Sequence, residues 1–297
     1  MKKTLAMMTA AVMVAGALSG CGSSSSTPAA TTAAATEAAT TAAATEAATT
    51  EAAGDTAAAA EGTVKTPSGK FTVGFDQEFP PMGFVGDDGQ FTGFDLELAK
   101  EVASRLGLEF VPQPINWDAK DMELDSGNID CIWNGFTMQG REDDYTWVGP
   151  YMANNQVFVV TADSDIASKA DLAGKAVEVQ KDSSGLAALQ GEAELSASFG
   201  SMTEVADYNT ALMDLESGAC DAVCMDSIVA GYQIKSSGKD MKILDDTLSA
   251  EEYGIGFKKG EDELAKAVQD TLMEMKDDGT VAKISNDWFG SDVFTLK

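Results

Sequence analysis

The chain has 297 residues, with 48 Asp and Glu against 20 Lys and Arg, a formal charge of −28 at pH 7 and no histidine. So acidic a chain carries no basic stripe to neutralise phosphates, which excludes nucleic acid as a partner. Without histidine, imidazole-based catalysis and His-containing zinc sites are excluded as well.

Lys2 and Lys3 precede a nearly unbroken apolar stretch, Leu5 to Leu18, which ends in Leu18-Ser19-Gly20-Cys21. A charged start, an apolar middle and small residues at a cleavage point predict a secretory signal peptide over residues 1–20. The stretch is too short for a comfortable membrane span. Leu-Ser-Gly-Cys also resembles the bacterial lipobox, in which the cysteine is diacylated and becomes the new N-terminus. Cys21 is therefore expected to be lipidated and to hold the protein on the bilayer, since two acyl chains anchor stably. The other reading is an ordinary signal peptide with a chance cysteine. Residues 22–62 of the 21–62 segment are Ser, Thr, Ala, Glu and Gly almost throughout, with TTAAATEAA at Thr31–Ala39 and again at Thr40–Ala48. No large apolar side chain offsets the entropy of ordering this stretch. It reads as a solvated tether, with an end-to-end distance of roughly 35 Å as a flexible coil.

About 235 residues follow, enough for one large or two small cores. Lys70–Phe75 alternates as a strand and Pro80-Pro81 breaks it. Leu96, Leu98, Ala99, Val102 and Leu106 recur at helical spacing over Phe94–Leu106, and Gly107 stops that helix. Leu108–Val111 reads as a strand, Asp118–Asp125 as a short helix and Ile129–Trp133 as a strand. Further strands are expected at Gln156–Thr161, Ala176–Gln180, Asp221–Met225, Met241–Leu244 and Gly254–Phe257. Helices are expected at Tyr208–Glu216, Ser227–Ile234, Glu263–Asp277 and Val281–Trp288. Strands alternating with helices predict an α/β architecture with largely parallel sheets. Beyond Cys21 the cysteines are Cys131, Cys220 and Cys224. Cys220 and Cys224 would lie roughly 13 Å apart along one extended strand, too far to bridge. The spacing fits no zinc signature, and small buried hydrophobes is the plainer reading. No cofactor or metal is expected.

One segment echoes another. Met122-Glu-Leu-Asp-Ser-Gly-Asn-Ile-Asp130 is mirrored by Met213-Asp-Leu-Glu-Ser-Gly-Ala-Cys-Asp221, 91 residues later. Each is a helix end, a Ser-Gly turn, an aspartate and an apolar strand, which predicts two similarly built lobes. Ligands of open α/β sheets sit at the carboxyl ends of strands. One such strand runs out at Asn134-Gly135-Phe136-Thr137 with Arg141 close behind, the other at Asp226. A cation and an anion facing across a cleft suit a zwitterion.

From about Gly69 to Phe294 the chain resembles the family 3 solute-binding proteins of polar amino-acid ABC importers. The resemblance is carried, in order, by Phe71-Thr-Val-Gly-Phe-Asp-Gln-Glu-Phe-Pro-Pro81, Gly93-Phe-Asp-Leu-Glu-Leu-Ala99, and Asp130 to Arg141 followed by Gly149-Pro-Tyr151. Val179-Gln-Lys-Asp-Ser-Ser184, Asp221 to Asp226, Asp278-Gly279 and Trp288-Phe-Gly290 continue it. It implies a two-lobe, type II periplasmic-binding-protein-like α/β fold with an interlobe cleft. Two crossings are expected near Ala153–Gln156 and Ser249–Tyr253. Residues 63–154 and 252–297 would form lobe 1, and residues 155–251 lobe 2. By the same resemblance Arg141 would fork onto the ligand α-carboxylate and Asp226 would accept from the α-ammonium. Thr137, Asn134 and the Gly135 backbone would add polar contacts. Ser183 and Ser184 would offer hydroxyls and N–H groups at a helix start, and Phe79 and Trp117 an aromatic pair. Asp76 matches a position that meets basic side chains in some members, which inclines the ligand towards a polar or basic amino acid. Each role has a structural counterpart: Asp226 as a helix N-cap, the serines as a capping pair, the aromatics as core. Between Thr137 and Arg141 the chain is one residue shorter than is usual, so a tighter turn is expected, with Gly140 permitting it. The implied protein is a monomer outside the cytoplasm, lipid-anchored through Cys21, partnered by ABC permease membrane subunits and not an enzyme. A sensory or scaffold partner of a membrane receptor and a dehydratase-like enzyme on the same fold are the alternatives.

Overall fold

The computed structural model describes Thr66 and residues 68–297. The expected signal peptide, Cys21, the expected tether with its repeat and the expected start of lobe 1 at residue 63 lie outside the described residues.

Strand β1 (Lys70–Phe75) opens the fold, as the alternation predicts. A small antiparallel sheet follows, made of β2 (Glu78–Phe79), β3 (Gly83–Val85) and β4 (Phe91–Thr92). Its strands are too short to carry a readable period. Helix α1 (Phe94–Leu106) buries Leu96, Leu98, Ala99 and Val102, the face its spacing defines. Then come β5 (Glu109–Pro114), a 3₁₀ turn at Trp117–Ala119, α2 (Lys120–Asp125) and β6 (Cys131–Thr137). All seven residues of β6 are buried. Strand β7 (Tyr145–Thr161) is 17 residues long, although the pattern marks only its second half. Gly149-Pro150 interrupts the first half, because proline removes a ladder donor and reads as a break.

The second half of the molecule holds β8 (Ala176–Gln180), α3 (Ser184–Gly191), α4 (Ala193–Ser198), β9 (Ser201–Val205), α5 (Tyr208–Ser217), β10 (Ala222–Asp226) and α6 (Ser227–Ser237). Strand β11 (Met241–Lys258) is one 18-residue strand where the sequence predicts two. Helices α7 (Asp262–Asp277) and α8 (Thr280–Phe289) end the described elements.

The main sheet has eight strands in the order β5-β1-β6-β11-β7-β10-β8-β9. Strand β1 pairs in parallel with β5 and β6, and β8 does so with β9 and β10. The expectation of largely parallel sheets fails at the centre. There β11 runs antiparallel to β6 and β7, and β7 antiparallel to β10. The cause is topological: β7 leaves the first half and β11 returns to it, so neighbouring crossings must run in opposite directions. They pair from Tyr145 and Lys258 to Thr161 and Met241, with register shifts around Thr247–Ser249 and Tyr253–Ile255.

One apolar core joins β1 to α1, α7 and α8, and continues to Leu212 of α5 and Val229 of α6. A second lies around Val177, Leu189 and Cys224, and a third around Ile132 and Phe136. Cys131, Cys220 and Cys224 are buried and free. They pack as small apolar side chains.

Candidate ligand-binding site

The site is built where strands end. At the end of β1, Asp76 is 7% exposed. Its carboxylate accepts from the Glu78 amide at 2.9 Å and from Gln180 Nε2, at the end of β8, at 2.7 Å. Burial is the main reason its pKa rises from 3.8 to about 6.

At the end of β6 four consecutive residues diverge in role. Asn134 is 1% exposed and lies beneath the cleft, its oxygen accepting from the Asp76 amide at 3.1 Å. Of the Gly135 backbone, expected to add a polar contact to the ligand, the N–H donates to Asp95 Oδ2 at 2.7 Å. Asp95 is fully buried and also accepts from Tyr151 OH at 2.9 Å, so it ties the start of α1 to β6. Gly135 has φ +55°, and a Cβ there would sit 2.9 Å from the Phe79 ring. Phe136 supports Trp117 edge-on, with ring centres 5.5 Å apart. Thr137 Oγ1 donates to Ser184 Oγ at 3.2 Å.

The Met138–Arg141 turn is closed by the Arg141 amide donating to Met138 O at 3.0 Å, with Gly140 at φ +79°. This is the tighter turn that the missing residue requires. The Arg141 guanidinium lies 5.1 Å from the Phe136 ring centre. It donates to Thr137 O at 3.2 Å and to Asp182 O at 3.4 Å, and no carboxylate pairs with it among the described residues.

Across the cleft, Ser183 caps α3, its Oγ accepting from the Leu186 amide at 3.1 Å. Ser184 Oγ accepts from Gln156 Nε2 at 3.1 Å. Asp226 occupies the N-cap position of α6 but makes no side-chain cap bond. Its carboxylate accepts instead from Tyr253 OH at 2.8 Å, Asn154 Nδ2 at 2.7 Å and Tyr208 OH at 3.1 Å. Burial pushes its pKa up.

Phe79, Trp117, Gly135, Thr137, Arg141, Ser183, Ser184 and Asp226 line one small cavity, together with Gln180. The space is about 10 Å³, enough for about one water. A larger ligand needs the two halves to part or side chains to turn. Asp76 opens onto a neighbouring groove of about 730 Å³, lined also by Glu78, Trp117, Asp118, Lys181 and Asp207. Contacts that hold the two sides together include Lys181 with Asp118 at 2.6 Å, Lys120 with Asp182, and Asn209 with Glu78.

Sequence reasoning missed Gln180, Lys120, Asn154, Gln156 and Glu251. Gln180 could have been found, because it ends β8 as Asp226 ends β10. Lys120 is 1% exposed and stacks 5.3 Å from the centre of Trp117. Glu251 is 5% exposed in the middle of β11. Its Oε1 accepts from Asn154 Nδ2 at 2.6 Å and from Gln156 Nε2 at 2.7 Å.

Residues 71–291 match the sequence profile of the bacterial extracellular solute-binding proteins, family 3. The chain is 33% identical over 231 residues to the L-cystine-binding protein TcyJ of Escherichia coli strain K12, covering 76% of this chain and 84% of the relative. It is 33% identical over 229 residues to the L-cystine-binding protein TcyA of Bacillus subtilis strain 168, covering 76% and 83%. A crystal structure of an ABC uptake transporter substrate-binding protein from Streptococcus pneumoniae, with bound histidine, superposes with a TM-score of 0.74 at 34% identity. That likeness spans 77% of this chain and 95% of the other. The architecture is accordingly the two-lobe, type II periplasmic-binding-protein-like fold, with β7 and β11 as its two crossings. The chain belongs to the family 3 bacterial extracellular solute-binding proteins.

Proposed function

We propose that the protein captures a free amino acid outside the cytoplasmic membrane, between its two lobes, and delivers it unchanged to an ABC importer. The observation that carries this reading is the convergence of Arg141 from one lobe and Asp226 from the other on one cavity. Arg141 is the anchor for the α-carboxylate, since its fork is spent only on main-chain oxygens and a carboxylate is the better bidentate partner. Asp226 is the acceptor for the α-ammonium. Thr137, Ser183 and Ser184 supply polar contacts, and Phe79 and Trp117 the walls. Asp76 and the acidic groove beside it favour a polar or basic side chain, or a second ammonium as in cystine. Gly135 lines the same cavity, and Asn134 supports the arrangement from beneath.

Residues 63–154 and 252–297 form lobe 1 and residues 155–251 lobe 2 in this reading, with the hinge where β7 and β11 pair around Asn155 and Ala250. Closure is driven by contacts the ligand makes only when both lobes touch it. No helix among the described residues is long and apolar enough to cross a membrane. In this reading a diacylated Cys21 and its tether attach the protein, and the monomer meets its permease subunits while held at the membrane surface.

The test is thermal unfolding of the full chain in detergent, followed by circular dichroism, against the twenty amino acids and L-cystine. A ligand at a thousandfold its dissociation constant adds about 4 kcal/mol. For this size the midpoint moves by roughly 8–16 °C. A shift with one or a few amino acids supports the reading and names the ligand. No shift with any of them, from folded protein, sinks it.

A further inference from the structure

Glu251 and Asp226 form a pair of buried carboxyls at the crossing between the lobes. A single amide joins them: Asn154 Nδ2, from β7, donates to Glu251 Oε1 at 2.6 Å and to Asp226 Oδ1 at 2.7 Å. The remaining donors are Gln156 Nε2 and Ser184 OH on Glu251, and the hydroxyls of Tyr208 and Tyr253 on Asp226. All of them are neutral. Neither carboxyl has an ion-pair partner among the described residues. The titratable groups around the pair are Cys224 from β10, Tyr208 from α5 on the Asp226 side, Tyr253 from β11, and Arg141. Arg141 opens onto the same small cleft as Glu251, yet its guanidinium bonds main-chain oxygens.

Two negative charges this close and this buried, facing only neutral donors, do not both ionise readily. Burial first, and the Asp226 charge second, lift Glu251 from 4.5 to about 7.

We propose that Glu251 is the second carboxylate of the ammonium subsite, that it shares one proton with Asp226, and that capturing an amino acid drives this proton into solvent. The proposal rests on the amino-acid reading above. The balance is simple. A ligand ammonium brings one positive charge against Asp226 and keeps its three N–H bonds. The carboxyl O–H of the pair breaks, both carboxyls become anionic, and the proton passes to bulk water or buffer. One charge enters the site as one leaves. Affinity then rises with pH, by nearly tenfold per unit while the pair is protonated, because one proton is released per ligand bound. It levels off once the pair has lost its proton without help.

The experiment is calorimetric titration of the full chain in detergent with L-cystine and with L-arginine, at pH 6.5, in two buffers of different ionisation enthalpy. The affinity is then followed from pH 5 to 8. Wild type should release about one proton, and its affinity should climb with pH and flatten above about 7. Glu251→Gln keeps an oxygen for Asn154 and Gln156 and should bind without proton release and without the slope. Binding by wild type with equal heats in both buffers, or an unchanged proton count in Glu251→Gln, overturns the proposal. If the variant does not fold, the wild-type proton count decides alone. If neither probe nor any other amino acid binds, the functional reading falls and the coupling with it. The shared proton is then read separately in the ligand-free protein: the fall in unfolding temperature between pH 5 and 8 must be shallower in Glu251→Gln, and an unchanged fall removes the pair.

Discussion

Arg141 enters the cleft with its guanidinium resting on two main-chain oxygens and the face of Phe136, and with no carboxylate beside it among the described residues. A buried carboxylate deprived of such a partner is left uncompensated, which costs on the order of 2–5 kcal/mol. Arg141→Ala should therefore weaken binding at least thirtyfold while leaving the unfolding temperature of the ligand-free protein nearly unchanged. Titration calorimetry and a melt check both halves. Retained affinity would remove Arg141 from the site. Arg141→Lys should recover only part of the loss, since an ammonium cannot fork. That Arg141, Asp226 and Ser184 come together on one cavity was legible at this scale, because they are polar residues at strand and helix ends. Glu251 and Lys120 were not, because their burial depends on partners more than 60 residues away, Asn154 and Asp182.

Elements were readable where periodicity had room. Helix α1 and helix α7 were visible because 13 and 16 residues repeat an apolar face several times. Strands β2 and β4, two residues each, carry no period at all. Strands β7 and β11 were cut short in prediction. Their middles run through Ala153 to Gln156 and Ser249 to Glu252, where polar side chains face the crossing rather than a core. At the end of β6, Gly135 is held at φ +55°, against the rings of Phe79 and Tyr253. A Cβ would meet both sterics and strain, so Gly135→Ala should cost about 1–3 kcal/mol of stability and lower ligand affinity as well. A denaturant melt with an unchanged midpoint would show that the β6 end is softer than its packing implies.

Over the whole molecule, buried carboxyls set a pH dependence, with Asp226 among them. Burial raises Asp95 to about 7, Asp76 to about 6 and Glu251 to about 7, all above the values they have when unfolded. The folded state therefore holds these protons more tightly. That stability is present in full below about pH 4 and is lost as pH rises through 6 and 7. A formal charge of −28 adds repulsion in the same direction. The ligand-free protein should melt at a higher temperature at pH 5 than at pH 8, as circular dichroism would record; the opposite order would mean that these groups ionise freely in the fold. The sequence by itself determined the α/β alternation, the duplicated strand-turn unit and the polar residues at strand ends, because each is written in local spacing. Only the tertiary structure decided that β7 and β11 run as unbroken strands through the expected crossings, that the Gly135 N–H donates to Asp95, and that Glu251 meets Asp226. Those outcomes depend on which distant backbones pair and on how much water their packing excludes, and neither quantity is local.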